Sequence, residues 1–249
     1  RKKQLALIRE AIGIARSLLQ AGVLERLPEP EPDGRRYDLT LDLPPDFALN
    51  QPLSHFALAA LDLIDAEAPD ALVETVSTVE AVVEAPRQIL LAQQWAARGE
   101  AIAAMKADGV EYEERMELVE EVTWPRPLAE RLEAAYELYR SGHPWLPSDA
   151  SAASLEPKAI VREMYEQGMG FTDVVARYQL ARSEGLVLRY LTDAYKALRQ
   201  TVPDRLRSEE FEALLDWLGE TVRQTDSSLL DEWEALTDPA HAPRDVTDH

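Results

Sequence analysis

Between Ala181 and Gln200 the chain can bury only one of its sides. Val187, Tyr190, Leu191, Ala194 and Leu198 recur at three- and four-residue steps, which places them on a single face of a helix with 3.6 residues per turn. Arg189, Thr192, Lys196 and Arg199 fall on the other side. The spacing predicts an amphipathic helix over 183–201. Its first turn is expected to be capped by the Ser183 hydroxyl, with Glu184 complementing the positive end of the helix dipole. The whole chain holds 46 acidic and 26 basic residues and a formal net charge of −20. A cationic helix face therefore stands out from its background.

That background limits function. A net charge of −20 repels a polyanion at long range, which argues against a free-standing nucleic-acid binder but leaves room for a local basic track. There are no cysteines, so disulfides, thiolate metal sites and cysteine nucleophiles are absent. No apolar run reaches the length of a membrane span and no signal peptide is visible. A cytoplasmic location with no membrane partner is expected. The first residues are Arg1-Lys2-Lys3, with no methionine, and a piece of a longer polypeptide is expected. At 249 residues and 46% apolar content the chain can bury the core of one large domain or two small ones.

Leu5, Ile8, Ile12, Ala15 and Leu19 share a helical face over 1–22, and Gly22 is a natural stop. Two strands are predicted next, at 23–27 and 37–43, the second from its apolar–polar alternation. Pro28, Pro30, Pro32 and Gly34 mark the loop between them. Helix, strand, long tip, strand is how a winged helix ends, and it is equally any helix followed by a hairpin. From Leu53 onward every periodic segment reads as helix: 53–64, 70–84, 86–108, 111–122, 128–139, 157–167, 172–178, the amphipathic helix, 209–224 and 227–236. Pro86 is expected in the first turn of its helix, and Trp217, Leu218 and Trp233 as anchors of the last two. The fold class expected is an all-α helical bundle preceded by a small α+β remnant with a β-hairpin. The expected domains are 1–50, then 51–238 as the bundle, then a disordered tail over 239–249.

Catalytic chemistry is hard to find. No Gly-x-x-x-x-Gly-Lys-Ser/Thr loop is present, and the pair Gly168 and Gly170 lacks the third glycine of a dinucleotide site, since Asp173 stands there. The two glycines read as a tight turn between helices. His55, His143, His241 and His249 have no helical metal spacing. His55 reads as a core histidine and His143 as a helix-end residue. Glu111, Glu113, Glu114, Glu117, Glu120 and Glu121 read as a solvated face rather than a metal site. Met105, Met116, Met164 and Met169 read as core filler. No catalytic, cofactor-binding or metal-binding residue is nominated, and the chain is expected not to be an enzyme.

The distribution of charge is more informative. Between 177 and 207 stand Arg177, Arg182, Arg189, Lys196, Arg199, Arg205 and Arg207, against Glu184, Asp193 and Asp204. Between 209 and 238 the sign reverses, ten acids standing against Arg223. The cations can follow a nucleic-acid backbone, with Thr192 or Tyr195 touching bases. Alternatively they pair with the acids that follow, which charge alone favours.

Longer strings add to this reading. Glu184-Gly185-Leu186-Val187-Leu188-Arg189 opening a helix that ends Ala197-Leu198-Arg199-Gln200 resembles the Glu-Gly-x-x-x-Arg start of the ratchet helix in exosome-associated, Ski-like DExH helicases. The lead-in from Leu155 to Tyr165 and the stretch from Gly170 to Val175 agree with it. More closely, Phe47 to Ser54, Met105 to Glu117 and Ala181 to Tyr190 resemble the C-terminal region of unknown function in actinobacterial DEAD/DEAH-box superfamily 2 helicases. The likeness covers nearly all of residues 1–238.

The resemblance implies a fold and a role. Residues 1–43 would end a winged helix and 51–238 would be the bundle that closes over the single strand leaving two RecA-like domains. ATP and Mg2+ would be held by that core, the parent chain being the NTP hydrolase and this chain non-catalytic. Arg182, Arg189, Thr192, Tyr195, Lys196 and Arg199 would face the strand, RNA being expected over DNA. The helicase core is the expected intramolecular partner and the chain is expected to be a monomer. Where relatives often carry two adjacent basic residues this chain has Thr192-Asp193, a departure that weakens the expected contact. No inserted arch domain is visible. The rival reading is an acidic helical scaffold whose faces at 111–121 and 209–234 dock the helicase core or another basic partner.

Overall fold

The computed structural model describes residues 24–32, 34–39, 53–84, 86–142 and 155–237, together with positions 15 and 19, both helical. Strand β1 (Leu24–Arg26) pairs antiparallel with β2 (Tyr37–Leu39), Leu24 opposite Leu39 and Arg26 opposite Tyr37. The proline-rich tip turns at Gly34, whose φ of +85° suits a residue without a Cβ and whose N–H reaches the Glu31 carbonyl. The remainder of the helix expected over 1–22, residues 40–43 of the second strand, His143 and the tail over 239–249 lie outside the described residues, as does the side chain of His55.

The rest of the described chain is helical: α1 (Ser54–Leu61), α2 (Ala71–Val82), α3 (Arg87–Ala107), α4 (Tyr112–Glu120), α5 (Ala129–Gly142), α6 (Val161–Gln167), α7 (Phe171–Arg177), α8 (Glu184–Thr201), a 3-10 turn at Asp204–Leu206, α9 (Glu209–Asp226) and α10 (Ser228–Thr237). The architecture is an all-α bundle with one small hairpin. Glycines stop two helices where expected. Gly109 (φ +76°) and Gly168 (φ +62°) take the left-handed conformation, and the N–H groups of Val110 and Met169 reach back to the carbonyls of Met105 and Met164. The turn between α6 and α7 is thus built on Gly168. Pro86 stands one residue before α3, at its cap.

Helix α8 is the centre of the larger core. Val187, Leu191, Ala194 and Leu198 are fully buried against Val76 and Val79 of α2, Val174 of α7 and Phe211, Leu214, Leu218 and Val222 of α9. Gly219 allows the closest approach. A Cβ there would lie 2.9 Å from the Tyr195 ring. A second cluster joins Leu53, Phe56 and Ala57 to Leu132, with Phe56 edge-on to Tyr136 and Tyr139 of α5 at 5.1 and 5.5 Å. Met164 and Met169 are core residues, but Met116 is 42% exposed on α4, since that short helix has little beyond α3 to pack against.

Two expectations at helix starts need correction. Helix α6 begins at Val161, not 157, because residues 155–160 run without helix along the end of α2. The Ser183 hydroxyl does not cap α8. It donates to Oε1 of Gln88 at 2.9 Å, and the Ser183 carbonyl takes the N–H groups of Leu186 and Val187 instead. Ser208 does cap α9, accepting from the Phe211 N–H at 3.2 Å.

Candidate nucleic-acid interface

The residues nominated from the sequence divide into three environments. Arg182 and Arg189 stand in the open at the start of α8, the Arg189 side chain 74% exposed with its Nε 3.8 Å from Oδ2 of Asp193. Burial raises the Asp193 carboxyl above the usual carboxylate range, with Glu84 adding to the rise and Arg189 and Lys196 opposing it. Asp193 therefore both tempers Arg189 and belongs to the cleft beside it.

Lys196 and Arg199 are half-buried under α10. The Lys196 ammonium and the Arg199 guanidinium lie 5.5 and 5.7 Å from the centre of the Trp233 ring. Cations over an aromatic face are attracted by its quadrupole, so this end of the helix is occupied by the protein itself.

Thr192 and Tyr195 are buried, contrary to the exposed side that periodicity assigned to Thr192. The Thr192 hydroxyl donates to the Leu188 carbonyl at 2.9 Å, within its own helix. The Tyr195 hydroxyl accepts from Nη1 of Arg199 at 3.0 Å, and its ring meets Trp233 edge-on at 6.2 Å. At Tyr195, Gly219 of α9 and Trp233 of α10 widen the packed arc beyond the stripe of aliphatic residues.

The pairing of the cations with later acids is realised at Arg207, whose Nε lies 2.6 Å from Oε1 of Glu212. Arg205 turns elsewhere, capping α1 by donating to the carbonyls of Leu61 (2.6 Å) and Ile64 (3.1 Å). The six glutamates of 111–121 are all exposed. Among the described residues no three acidic or histidine side chains converge closely enough to share one metal ion.

What holds α8 in place was not nominated at all. Glu80 on α2 is fully buried, with Oε1 accepting from the N–H groups of Ile160 (2.9 Å) and Val161 (2.8 Å) and from the Tyr190 hydroxyl (2.8 Å), and Oε2 from the Arg162 N–H (3.1 Å). A carboxylate thus satisfies the orphan donors at the start of α6 from another helix, while Tyr190 ties α8 to the same atom. Beside it, Lys158 is fully buried and donates to the carbonyls of Val83 (2.7 Å) and Glu156 (3.2 Å). Burial lowers its pKa to about 8, with Glu80 and Glu156 opposing. An acid amid aliphatic residues at 79–83 was the available signal, since such a group is retained inside only when it is paired.

At the exposed end of α8 the surface folds into a cleft of about 190 Å³. Glu84, Pro86, Arg87 and Gln88 form one wall and Leu186, Arg189, Tyr190 and Asp193 the other. These features define a class: a helical bundle organised on one central helix, with arginines and carboxylates mixed at an open end and cations covered at the other. A family profile described as a domain of unknown function (DUF3516) matches residues 1–249, and the chain belongs to that family. No curated protein and no solved structure matches it. Among the described residues no helix is long and apolar enough to cross a membrane.

Proposed function

We propose that this chain is the non-catalytic C-terminal accessory domain of an ATP-dependent superfamily 2 helicase and guides the single strand, RNA in preference to DNA, as it leaves the RecA-like core. The observation that carries the reading is α8 itself, buried along one side yet holding Arg182 and Arg189 in solvent at its start. The resemblance of Glu184 to Arg189 to a ratchet-helix start gives that cation its role. ATP and Mg2+ belong to the core outside this chain, whose sequence has no phosphate-binding loop. The test is fluorescence anisotropy with labelled single-stranded RNA and DNA at low and moderate salt, beside the Arg189→Ala, Lys196→Ala, Arg199→Ala triple variant. Salt-sensitive binding lost in the variant supports the reading. ATP hydrolysis that follows the pure chain through purification overturns it.

One observation favours the rival scaffold. Tyr112, Met116 and Leu118 are 65, 42 and 45% exposed on the acidic helix α4, giving it apolar as well as anionic contacts for a basic partner. A scaffold predicts that the triple variant behaves as the wild type and that substitutions at Tyr112 and Met116 abolish partner capture.

A further inference from the structure

In a chain this rich in arginine–carboxylate pairs, Arg87 and Arg182 are exceptions. Each is exposed, and neither side chain makes an ion pair or hydrogen bond among the described residues. They come from separate elements, Arg87 opening α3 and Arg182 preceding α8, and their neighbours Gln88 and Ser183 are joined by the 2.9 Å bond between Oε1 and the hydroxyl. The bond brings the two stretches to one corner, where Arg87 and Arg189 line the cleft and Arg182 stands one residue before the bonded serine.

From that corner α3 carries a ridge outward that ends in one exposed aromatic ring. Gln88, Leu91 and Trp95 follow one another at three- and four-residue steps and lie on one helix face. Leu91 is 39% exposed and Trp95 71%, whereas Trp124, Trp217 and Trp233 pack against the core. Seven residues separate Gln88 from Trp95, about 10 Å of helix, a span of a few nucleotides. A tryptophan 71% exposed, two helical turns from cations whose side chains have no partner among the described residues, is a combination with which proteins hold single strands: backbone phosphates on guanidinium groups and a base on an aromatic face.

We infer that the strand crosses the bundle at this corner, its phosphates on Arg87, Arg182 and Arg189 and a base stacked on Trp95, rather than along the Lys196–Arg199 end that Trp233 covers. The inference rests on the strand-guiding reading above and assigns it a different path. Glu84, Glu184 and Asp193 border the same corner. They keep phosphate on the rim and hold the grip weak, as a strand that must slide requires.

The experiment measures anisotropy of a labelled oligouridylate with the 249-residue chain over a salt series. The variants are Arg87→Ala with Arg182→Ala, Trp95→Ala, Trp95→Phe, and Lys196→Ala with Arg199→Ala. Circular dichroism confirms that each is folded. The double corner variant is expected to lose at least about tenfold in affinity at low salt and to flatten the log–log salt slope by about 0.7 per arginine removed. Trp95→Ala is expected to lose about fivefold or more, and Trp95→Phe to retain most binding while losing ligand-induced fluorescence quenching. The Lys196, Arg199 variant is expected to change by less than about threefold. Affinity that survives the corner variant but falls with Lys196 and Arg199 overturns the path and leaves the strand-guiding reading intact. Absence of strand binding by the wild type at low salt overturns both. A wild-type dimer that Trp95→Ala renders monomeric assigns the tryptophan to a self-interface and overturns the path as well.

Discussion

The hydroxyl of Tyr190 on the central helix donates to Oε1 of Glu80 on α2 across 2.8 Å, at a point where Glu80 already accepts the first N–H groups of α6. One buried carboxylate thus fixes three helices relative to one another. Tyr190→Phe keeps the ring and removes one of four donors, and is expected to cost about 1–2 kcal/mol in urea unfolding. Glu80→Ala strands three backbone donors and the tyrosine hydroxyl together, and is expected to cost on the order of 3 kcal/mol or more. Equal losses for the two variants would mean that the cap on α6 contributes nothing and that only the tyrosine bond matters.

Lys158 makes stability depend on pH with a definite sign. Its folded pKa is lowered to about 8 from an ordinary 10.5, burial outweighing Glu80 and Glu156. Between those values the unfolded chain binds the proton that the folded chain has released, so stability rises with pH there and this contribution is flat below it. Each unit of pKa difference is worth about 1.4 kcal/mol, so the rise from pH 8 to pH 10 is expected to be about 2 kcal/mol. Lys158→Met should flatten it. A wild-type and variant pair with parallel stability curves over that range would show that the ammonium is not desolvated.

The sequence reads well wherever one periodicity decides the outcome. The stripe Val187, Leu191, Ala194, Leu198 is the buried side of α8, and Gly109 and Gly168 stop their helices. It reads poorly where partners are remote. Ser183 looks like a cap from its neighbours in the chain, yet its hydroxyl is taken by Gln88, 95 positions away. Residues 157–160 look helical, yet they run without helix along the end of α2, the Glu156 N–H reaching the Ala81 carbonyl at 3.0 Å and the Ile160 N–H the Glu80 carboxylate at 2.9 Å. Of the candidate site, Arg182 and Arg189 were legible as exposed cations. Tyr195 was not legible as buried, because its cover comes from Gly219 of α9 and Trp233 of α10, which the local pattern cannot see; Thr192 is buried too, its hydroxyl turned onto its own helix. Trp95 looks in the sequence like one more apolar residue of a helix, and only the fold shows its ring 71% exposed.

Gly219 is expected to be intolerant of a methyl group. A Cβ there would meet Cε2 of Tyr195 at 2.9 Å and Nη1 of Arg223 at 3.2 Å. The arginine tip can move, but the ring is fixed between α9 and Trp233. Gly219→Ala gains about 1 kcal/mol of helix propensity and loses about 1–3 kcal/mol to overpacking, so a net loss is expected by thermal melting. The double variant Gly219→Ala with Tyr195→Leu should recover part of it. A single variant more stable than the wild type would show that α8 and α9 separate freely at this crossing.

Trp233 covers Lys196 and Arg199, and its removal separates the two ends of α8 functionally. Trp233→Ala deletes a half-buried ring that packs against the core and against Tyr195, and a loss of about 2–3 kcal/mol is expected in denaturant unfolding. The same change uncovers Lys196 and Arg199 at the end of α8 away from the proposed strand path. If the strand lies at the Arg87–Arg182 corner, affinity should change by less than about threefold and the log–log salt slope should stay as in the wild type, since neither cation touches the strand and the net charge is unchanged. If Trp233 is itself a stacking platform, affinity should fall and ligand-induced quenching should vanish, despite the two exposed cations. Anisotropy and tryptophan fluorescence on this one variant, compared with Trp95→Ala, therefore assign the stacking residue to one end of the helix or the other.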